Sequence, residues 1–542
     1  MTGGYARAMS ARLRILAVAV SGLVLVLAAG CTHPATPSPS PTPAGTTVAT
    51  NGVRATTPST FTTLDPARAR TSGDATLIAN VYQTMLAVAA GATQPDPDLA
   101  EACKFSSPTV YSCRIRDKEA WSDGTPITTE QVKASYQRLL RGPLAWAELT
   151  AIVSSVQVVD EHSVSFTMHT YDALLPYLLA TPRAAVVRVG TGARTGAATD
   201  PAAYLGSGPY VVTRFAPDSQ IVLSRNETYA GRTTARNDQV AITVVHEATA
   251  SASATEAAAA VAADTADLAF GELATVPVPG TAAAAKRVTV TSAPGRTVHL
   301  LVLRMPAGAR AHAIHDAIAR TVDRRAVATA VQTSAGVPQT SVVPADVLNH
   351  VDAFDETFGT APDLIGAKAA LDVAKVKAPV PLTLWCATGD TTCSTALHRV
   401  ADQLDASKLF TASLKIASAA AIARRARAGD LDGWLASVTP AYPDADAYLV
   451  PVFAGGSTSV VAGSGFTSAV LVADLKRSRQ AAVPATRTDL LAGIQRDGAL
   501  SGPVLPLFQD RSTVVSRSGV TGIPAGFDLA GIQRFWSIRP PG

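Results

Sequence analysis

Hairpin patterns alternate with helical patterns along most of this chain, and this alternation limits the folds open to it. Residues 99–117 and 151–169 each contain two short strand-like runs around a turn, and 210–226 repeats the pattern after Gly206 and Gly208. The apolar spacing predicts helices over 128–140, 250–268, 312–331 and 362–374, the second ending in a short buried strand, and further strands over 297–304 and 381–386. A plain repeat of strand and helix would lack the hairpins, so the pattern predicts a mixed α/β fold.

The size and composition of the chain indicate a large folded body. Its 542 residues suggest two to four lobes, and 47% hydrophobic against 16% charged residues is ample for a core. After residue 30 no run of about 20 apolar residues occurs, which excludes a helical membrane bundle in the mature protein.

The net charge argues against a nucleic-acid partner. The formal value is +4, from 46 basic and 42 acidic residues. The first 30 residues contain Arg7, Arg12 and Arg14 and no acid, which leaves 43 basic against 42 acidic residues in the remainder. A charge near zero gives no concentrated basic face of the kind that nucleic acids require.

The N-terminus indicates export and a lipid anchor. Residues 1–30 combine the three arginines with a short apolar core over 15–29, the pattern of a secretory signal. Residues 27–31, LAAGC, resemble a bacterial lipobox, in which Cys31 becomes the lipidated first residue of the mature protein. The alternative is an ordinary signal peptide with an incidental cysteine. The lipobox predicts anchoring at the extracytoplasmic face of the cell membrane.

A Pro/Ser/Thr segment follows the predicted lipidation site. Residues 32–47, THPATPSPSPTPAGTT, have no apolar period and cannot bury a core, so they suit a linker between an anchor and a folded body. A merely disordered N-terminus is the alternative, and on both interpretations the fold starts near residue 48.

The other four cysteines form two local pairs, Cys103 with Cys113 and Cys386 with Cys393. Both pairs lie beside strand-like segments of an exported chain, so we predict two short-loop disulfides. Zinc is the rival interpretation, but no histidine stands at ligand spacing beside either pair.

A series of ordered motifs resembles the extracytoplasmic solute-binding proteins of ABC transporters, family 5, the oligopeptide-, dipeptide- and nickel-binding type. The strongest is WSDGTPITTEQV over 121–132, which is similar to "F-x-DGTPVTAEDV". The others are LDP at 64–66 with NVYQTML at 80–86, PDLAE at 97–101, GSGPY at 206–210, LSRNETY at 223–229 and ARTVDR at 319–324. Beyond residue 340 the resemblance is thinner.

The resemblance implies a two-lobed α/β clamp of the class II periplasmic-binding-protein type, with an extra subdomain in lobe one. Lobe one would comprise 48–285, including the subdomain over about 81–194, and 496–542 would return to it; lobe two would comprise 286–495. The two crossings near those boundaries would form the hinge. Such a protein is a monomer that captures a small or peptide-like solute between the lobes and presents it to a separate ABC permease.

The resemblance also suggests solute-contacting residues. In peptide-binding relatives, a segment "W-x-A-D-Y-x-D-P" supplies an Asp that pairs with the ligand amino group; here Ala441 replaces that Asp, so ordinary free-amine peptides are in doubt. Asp444 or Asp446 would be the substitute, or else a solvated loop acid. The remaining candidates are Trp434 and Tyr442, each against a role in core packing, Tyr82 at the start of the first cleft-facing helix, and Gly208, for which an architectural role is the alternative.

The common motifs of enzymes and cofactor sites are absent from the sequence. The sequence has no G-x-x-x-x-G-K-[ST], H-E-x-x-H, S-x-x-K or G-x-S-x-G, and we expect no catalysis, no cofactor and no metal. His312, His315 and Asp316 begin a helix, where a surface or capping role is expected. The alternative to a transport function is a lipoprotein of the cell envelope that keeps the clamp fold but has an interaction or regulatory role. A hydrolase is the third and least favoured function.

Overall fold

The computed structural model describes residues 48–190, 204–247, 249–271, 273, 287–331, 336–523 and 532–541. These residues contain seventeen strands and fourteen α-helices, besides three short 3-10 helices. The strands are β1 (Gly52–Thr57), β2 (Leu86–Val88), β3 (Pro95–Pro97), β4 (Ala100–Ser107), β5 (Val110–Ile115), β6 (Val153–Asp160), β7 (Ser163–Met168), β8 (Tyr210–Ala216), β9 (Gln220–Arg225), β10 (Gln239–Val244), β11 (Leu268–Ala269), β12 (Val288–Leu303), β13 (Val337–Pro338), β14 (Val380–Ala387), β15 (Phe410–Ala417), β16 (Gly433–Val438) and β17 (Val504–Arg517).

The helices are α1 (Ser72–Val81), α2 (Thr129–Leu140), α3 (Ala147–Ile152), α4 (Leu175–Leu179), α5 (Ala250–Ala262), α6 (Ala309–Thr321), α7 (Arg324–Val331), α8 (Ala353–Phe358), α9 (Leu364–Val373), α10 (Thr391–Ala406), α11 (Ala419–Ala428), α12 (Ala445–Phe453), α13 (Ala469–Gln480) and α14 (Pro484–Ser501). None of these helices combines the length and apolarity needed to cross a bilayer. The predicted signal, Cys31 and the linker lie outside the described residues.

One mixed sheet of eleven strands connects two lobes. Its order is β15-β14-β16-β12-β17-β11-β1-β10-β9-β8, with β13 on the side of β17. The long strands β12 and β17 pair antiparallel from Val288 opposite Arg517 to Val302 opposite Val504. The first part of β12 and the last part of β17 lie in lobe one, with β11, β1 and β8–β10. The last part of β12 and the first part of β17 lie in lobe two, with β14–β16. The register shifts between Pro294 and Val298, at the passage from one lobe to the other.

An additional four-stranded sheet, in the order β4-β5-β7-β6, forms the extra subdomain with α2, α3 and α4. Its core contains the fully buried Trp121, Tyr136 and Phe166, and the last two rings meet edge to face at 4.9 Å. Aromatic side chains bury the largest apolar areas, so these rings supply much of the subdomain's cohesion. Both hairpins predicted here are confirmed, with turns after Ser107 and Asp160.

The start of α2 is confirmed at Thr128. The Thr128 side chain accepts a hydrogen bond from the Gln131 N–H, and the Gln131 Oε1 accepts one from the Thr128 N–H, which is a capping box. The same Oε1 also accepts from Trp121 Nε1 at 2.9 Å, so the preceding turn is fixed to the helix.

The single helix predicted over 312–331 is wrong. The structure has α6 from Ala309 and α7 from Arg324, with an extended residue, Val322, between them. The Asp323 carboxylate accepts a hydrogen bond from the Ala326 N–H at 3.0 Å. Asp competes for backbone N–H groups and favours helix starts, so it opens a second helix although the apolar spacing continues.

Both predicted disulfides are present. Cys103 and Cys113 are direct cross-strand partners of β4 and β5 and are bonded to each other. Cys386 near the end of β14 is bonded to Cys393 in the first turn of α10, which fixes the short connection between them.

Candidate functional site

The carboxyl ends of three parallel strands lie at the edge of lobe two that faces lobe one. Strand β16 runs antiparallel to β12, with Gly433 opposite Leu303 and Val438 opposite Val298, near the passage between lobes. Strands β14 and β15 run parallel to β16 and end at the same edge. In open α/β sheets, ligands bind in the crevice outside the carboxyl ends of the strands, particularly where neighbouring strands separate.

Strands β14 and β16 separate at this edge. They pair only at Leu384 with Gly433 and at Trp385 with Trp434, after which β14 continues alongside β15 as far as Ala387. From Leu435 to Val438, β16 therefore has a described strand partner only on its β12 side. Alternate N–H and C=O groups of an unpaired strand edge are available to an extended ligand.

A cavity of about 290 Å³ lies at this separation. Trp385 and Trp434 contribute two aromatic walls, and Trp434 is 6% exposed. The remaining lining comes from β14 and β16, from the start of α10, from one side of α11 and from the segment after α12: Ala387, Asp390, Cys393, Ala419, Ile422, Ala423, Ala426, Arg427, Leu435, Ala436, Ser457, Ser459, Val460 and Ala462. The predicted residue Trp434 thus lies in a cavity wall as well as in a core cluster.

The rim of the cavity is mostly basic. Arg425 and Lys415 lie over the Trp385 ring, 5.1 and 5.6 Å from its centroid. Arg427 lines the cavity and is exposed, and in the described part of the chain it makes no ion pair. Asp390 is the one acid in the lining, and its carboxylate accepts the Cys393 N–H at 2.8 Å to cap α10.

Asp444 and Asp446 are buried and paired, so their interpretation as solvated loop acids is wrong. Arg487 donates to both oxygens of Asp444 at 2.7 and 2.9 Å, and Arg479 donates to both oxygens of Asp446 at 2.7 and 2.8 Å. Burial by itself lowers the pKa of Arg479, but the bonds to Asp446 outweigh it and raise that pKa. Both carboxylates are neutralised from within the protein, and a ligand role for Asp444 stays a prediction.

Tyr442 joins lobe two to the extra subdomain. Its ring lies 6.0 Å from the ring of Tyr177 in α4. Beside it, the Ala173 N–H donates to the carbonyl oxygen of Arg479 at 2.8 Å. Tyr442 and Asp444 are thus neighbours at a contact between the two bodies, whereas neither lines the cavity of Trp434.

Tyr82 and Gly208 come together elsewhere, in lobe one. Tyr82 does not start a helix; it caps the end of α1 and is 5% exposed, and burial raises its pKa. The Gly208 N–H donates to the Val81 carbonyl at 2.8 Å, and a Cβ at Gly208 would lie 2.6 Å from the Val81 carbonyl carbon. Glycine is therefore required for this close approach, and contact of either residue with a solute stays a prediction.

Ser437, His299 and Asp510 form a hydrogen-bonded chain that the sequence analysis did not predict. His299 Nε2 lies 2.8 Å from Asp510 Oδ1, and Nδ1 lies 2.9 Å from Ser437 Oγ. Since the carboxylate only accepts, Nε2 carries a proton and donates it to Asp510, while Nδ1 and the Ser437 hydroxyl share the second hydrogen bond. His299 and Ser437 are direct partners of β12 and β16, and only this register brings them together.

His312 and His315 lie in different environments. His312 is exposed, but His315 is buried and its Nε2 lies 3.1 Å from the Val504 carbonyl, so the surface role expected for His315 is wrong. Burial lowers the pKa of His315, which keeps the ring neutral. Within the described ranges, no three His, Cys, Asp or Glu side chains gather to hold a metal ion.

The crevice lies at the carboxyl ends of the lobe-two strands and faces lobe one, and the two lobes share strands β12 and β17. This arrangement defines a two-lobed clamp for solutes. The model of bacterial extracellular solute-binding proteins, family 5 (middle region), matches residues 94–459. The match covers more than half of the chain, and the chain belongs to this family.

Individual relatives agree with this assignment. The probable D,D-dipeptide-binding periplasmic protein DdpA of Escherichia coli K12 is 31% identical over 179 residues, 31% of this chain and 34% of that protein, so the alignment spans about a third of the relative's length. The solved ABC transporter substrate-binding protein CtaP of Listeria monocytogenes superposes with a TM-score of 0.77 at 16% identity, over 91% of this chain and 99% of the other. The periplasmic binding protein DppA of Helicobacter pylori, solved with the peptide STSA, gives 0.69 at 16% identity over 91% and 98%. The two-lobed fold with its extra subdomain is confirmed.

Proposed function

We propose that this protein is the solute-binding component of an ABC importer and that it captures a peptide-like solute at the interlobe edge of β14 and β16. The observation that carries the proposal is the separation of these strands beside an aromatic-walled cavity. The unpaired backbone of Leu435–Val438 offers hydrogen bonds to an extended chain, and the cavity accepts a side chain. The names of the relatives, a D,D-dipeptide-binding protein and a protein solved with a peptide, support a ligand of this class.

Capture would proceed by closure of the lobes. The irregularity between Pro294 and Val298 lies in a strand that both lobes share, so a change of backbone torsions there would move one lobe against the other. The boundaries expected from the sequence, 48–285, 286–495 and 496–542, remain part of this proposal. A ligand that binds only the closed state shifts the open–closed equilibrium toward it.

The proposed location is the extracytoplasmic face of the cell membrane. Lipidation of Cys31 would supply the anchor and residues 32–47 the tether. The permease and its ATPases would be separate chains, and the protein would work as a monomer. No bond of the solute would be made or broken.

A free amino group of the solute would not be paired by the segment around Tyr442. Ala441 carries no charge, and Asp444 and Asp446 are each held by an arginine in bidentate pairs. Removing either carboxylate from its arginine would leave a buried charge without a partner, which is costly. Recognition would therefore rest on the backbone and side chains of the solute.

Native mass spectrometry of the exported chain, released gently from its own membrane in detergent, tests the proposal. We expect a discrete additional mass that is lost on denaturation and whose fragmentation identifies a peptide-like solute. A chain without added mass that also binds no member of a library of free and N-acetylated tripeptides in calorimetry would refute it.

A further inference from the structure

We propose that the cavity beside Trp434 is a pocket for an aromatic side chain of the solute, with a carboxylate of the same solute held at Arg427. This inference rests on the proposed function, since it assumes that the solute lies along the open edge of β16. It adds the chemical class of the group that the protein selects.

The space in the cavity arises from alanines on α11. Ala419, Ala423 and Ala426 stand with Ile422 on the side of the helix that lines the cavity, where larger side chains would otherwise fill the gap between helix and sheet. An apolar cavity of about 150 Å³ is enough to bind benzene, so about 290 Å³ has room for one substituted ring.

The walls favour a flat ring. Trp385 and Trp434 are direct register partners on β14 and β16, so their side chains project from the same face of the sheet. Two indoles side by side offer faces and edges for stacked or edge-to-face contacts, which add to the burial of apolar area.

The rim favours a negative charge next to that ring. Arg427 lines the cavity without an ion-pair partner among the described residues, and Arg425 and Lys415 add positive charge around Trp385. Asp390, which caps α10, is the one acid in the lining, so a single carboxylate stands against these three basic side chains. A guanidinium binds a carboxylate through paired hydrogen bonds, so a carboxylate is the preferred group at this place.

The position of the cavity connects it to the open strand edge. Leu435 and Ala436 belong both to the cavity lining and to the part of β16 without a partner on this side. Side chains of an added strand point alternately to the two faces of the sheet. A peptide along β16 would therefore place one side chain in the cavity.

Calorimetry on the exported full chain with three defined probes, all N-acetylated so that no free amino group is present, tests the inference: the tripeptides Ala-Ala-Phe and Ala-Ala-Ala, and Ala-Ala-Phe with an amidated carboxyl terminus. We expect Ala-Ala-Phe to bind at least about tenfold more tightly than Ala-Ala-Ala, because one buried phenyl group contributes at least that much. Amidation should weaken Ala-Ala-Phe by about tenfold, and Arg427→Gln should bring the acid and the amide to equal affinity.

A matched pair of variants tests whether the preference for Ala-Ala-Phe arises in the cavity. Ala423→Phe fills it and should abolish the preference for Ala-Ala-Phe while Ala-Ala-Ala still binds. Ala420→Phe, an exposed position of the same helix outside the lining, should keep the preference. Ala419→Leu, a smaller filling change, serves if Ala423→Phe lowers the thermal midpoint strongly.

The outcomes separate the two proposals. Equal affinities of Ala-Ala-Phe and Ala-Ala-Ala in the wild type, or a preference that persists in both filling variants, would overturn the pocket and leave peptide capture standing. Failure of all three probes to bind would count against peptide capture itself, and the pocket would fall with it.

Discussion

Ala173 of the extra subdomain donates its backbone N–H to the backbone carbonyl of Arg479 in lobe two, over 2.8 Å. The Tyr177 and Tyr442 rings meet beside this bond. The extra subdomain therefore touches the lobe opposite to the one that carries it, and the contact holds one side of the clamp together.

Tyr442→Ala should weaken solute binding by shifting the clamp toward its open state. Loss of an aromatic pair costs about 0.5–1.5 kcal/mol, so the dissociation constant should rise by up to about tenfold. Tyr442→Phe keeps the ring and should bind like the wild type. Calorimetry gives the affinity and small-angle scattering the compactness; an Ala variant with unchanged values of both would show that this contact does not bias closure.

Asp444→Asn should destabilise the fold strongly. The Asp444 side chain is fully buried against Arg487, so the change leaves a buried guanidinium without its counter-ion, at a cost of about 3–5 kcal/mol. Urea unfolding measures this free energy. Asp372→Asn, in the exposed pair with Lys368, is the control and should change it by less than about 1 kcal/mol. Normal stability combined with lost solute binding in Asp444→Asn would instead assign Asp444 to the ligand.

Glu119 should make the fold less stable as the pH rises. Burial raises its pKa to about 7, against the opposing effects of the Gln83 amide and Arg116. Because the folded state holds the proton more tightly than the unfolded chain, the stabilisation is complete below the ordinary pKa of Glu and is lost as the pH rises through about 7, by about 3 kcal/mol in total. Unfolding at pH 5 and pH 8 should show this loss, and Glu119→Gln should reduce it. An unchanged pH profile in that variant would assign the titration to another group, such as Asp98, whose pKa burial raises to about 6.

Gly208→Ala should cost about 1–3 kcal/mol, because the new methyl group meets the backbone of Val81 and Tyr82 and the neighbouring segments must shift. Gly493→Ala is the matched control, since it lies within α14 with nothing near the added Cβ and should stabilise by about 0.4–1 kcal/mol. Thermal unfolding of both variants checks the sign. A neutral Gly208→Ala would show that this contact relaxes easily.

The sequence predicted those features that depend on neighbouring residues. The hairpins of the extra subdomain, the Thr128 cap and both disulfides depend on short spacings, and all are present. Asp323, the residue before α7, was also a local signal for a helix start, but the apolar spacing that continues past it led to the prediction of a single helix.

The candidate site was harder to predict because it depends on strand register. Trp434 was predicted as a pocket residue, whereas its partner Trp385 and the rim residue Arg427 were not. Only the pairing of β14 with β16 brings the three residues to one cavity. His299 stands 138 residues from Ser437 and 211 from Asp510, and no local pattern indicates that the three will meet. Likewise the arginine that neutralises Asp444 comes from α14, 43 residues later.

Strand β17 is shared between the lobes, and among the described residues it follows every other strand of the large sheet. A polypeptide that has emerged only as far as residue 503 lacks the strand that fills the gap between β12 and β11, so both halves of the large sheet still have an open edge. Neither half of the sheet can reach its final form until β17 has been added. Folding of both lobes thus depends on β17, and loss of this one strand would damage the distant lobe as severely as the near one.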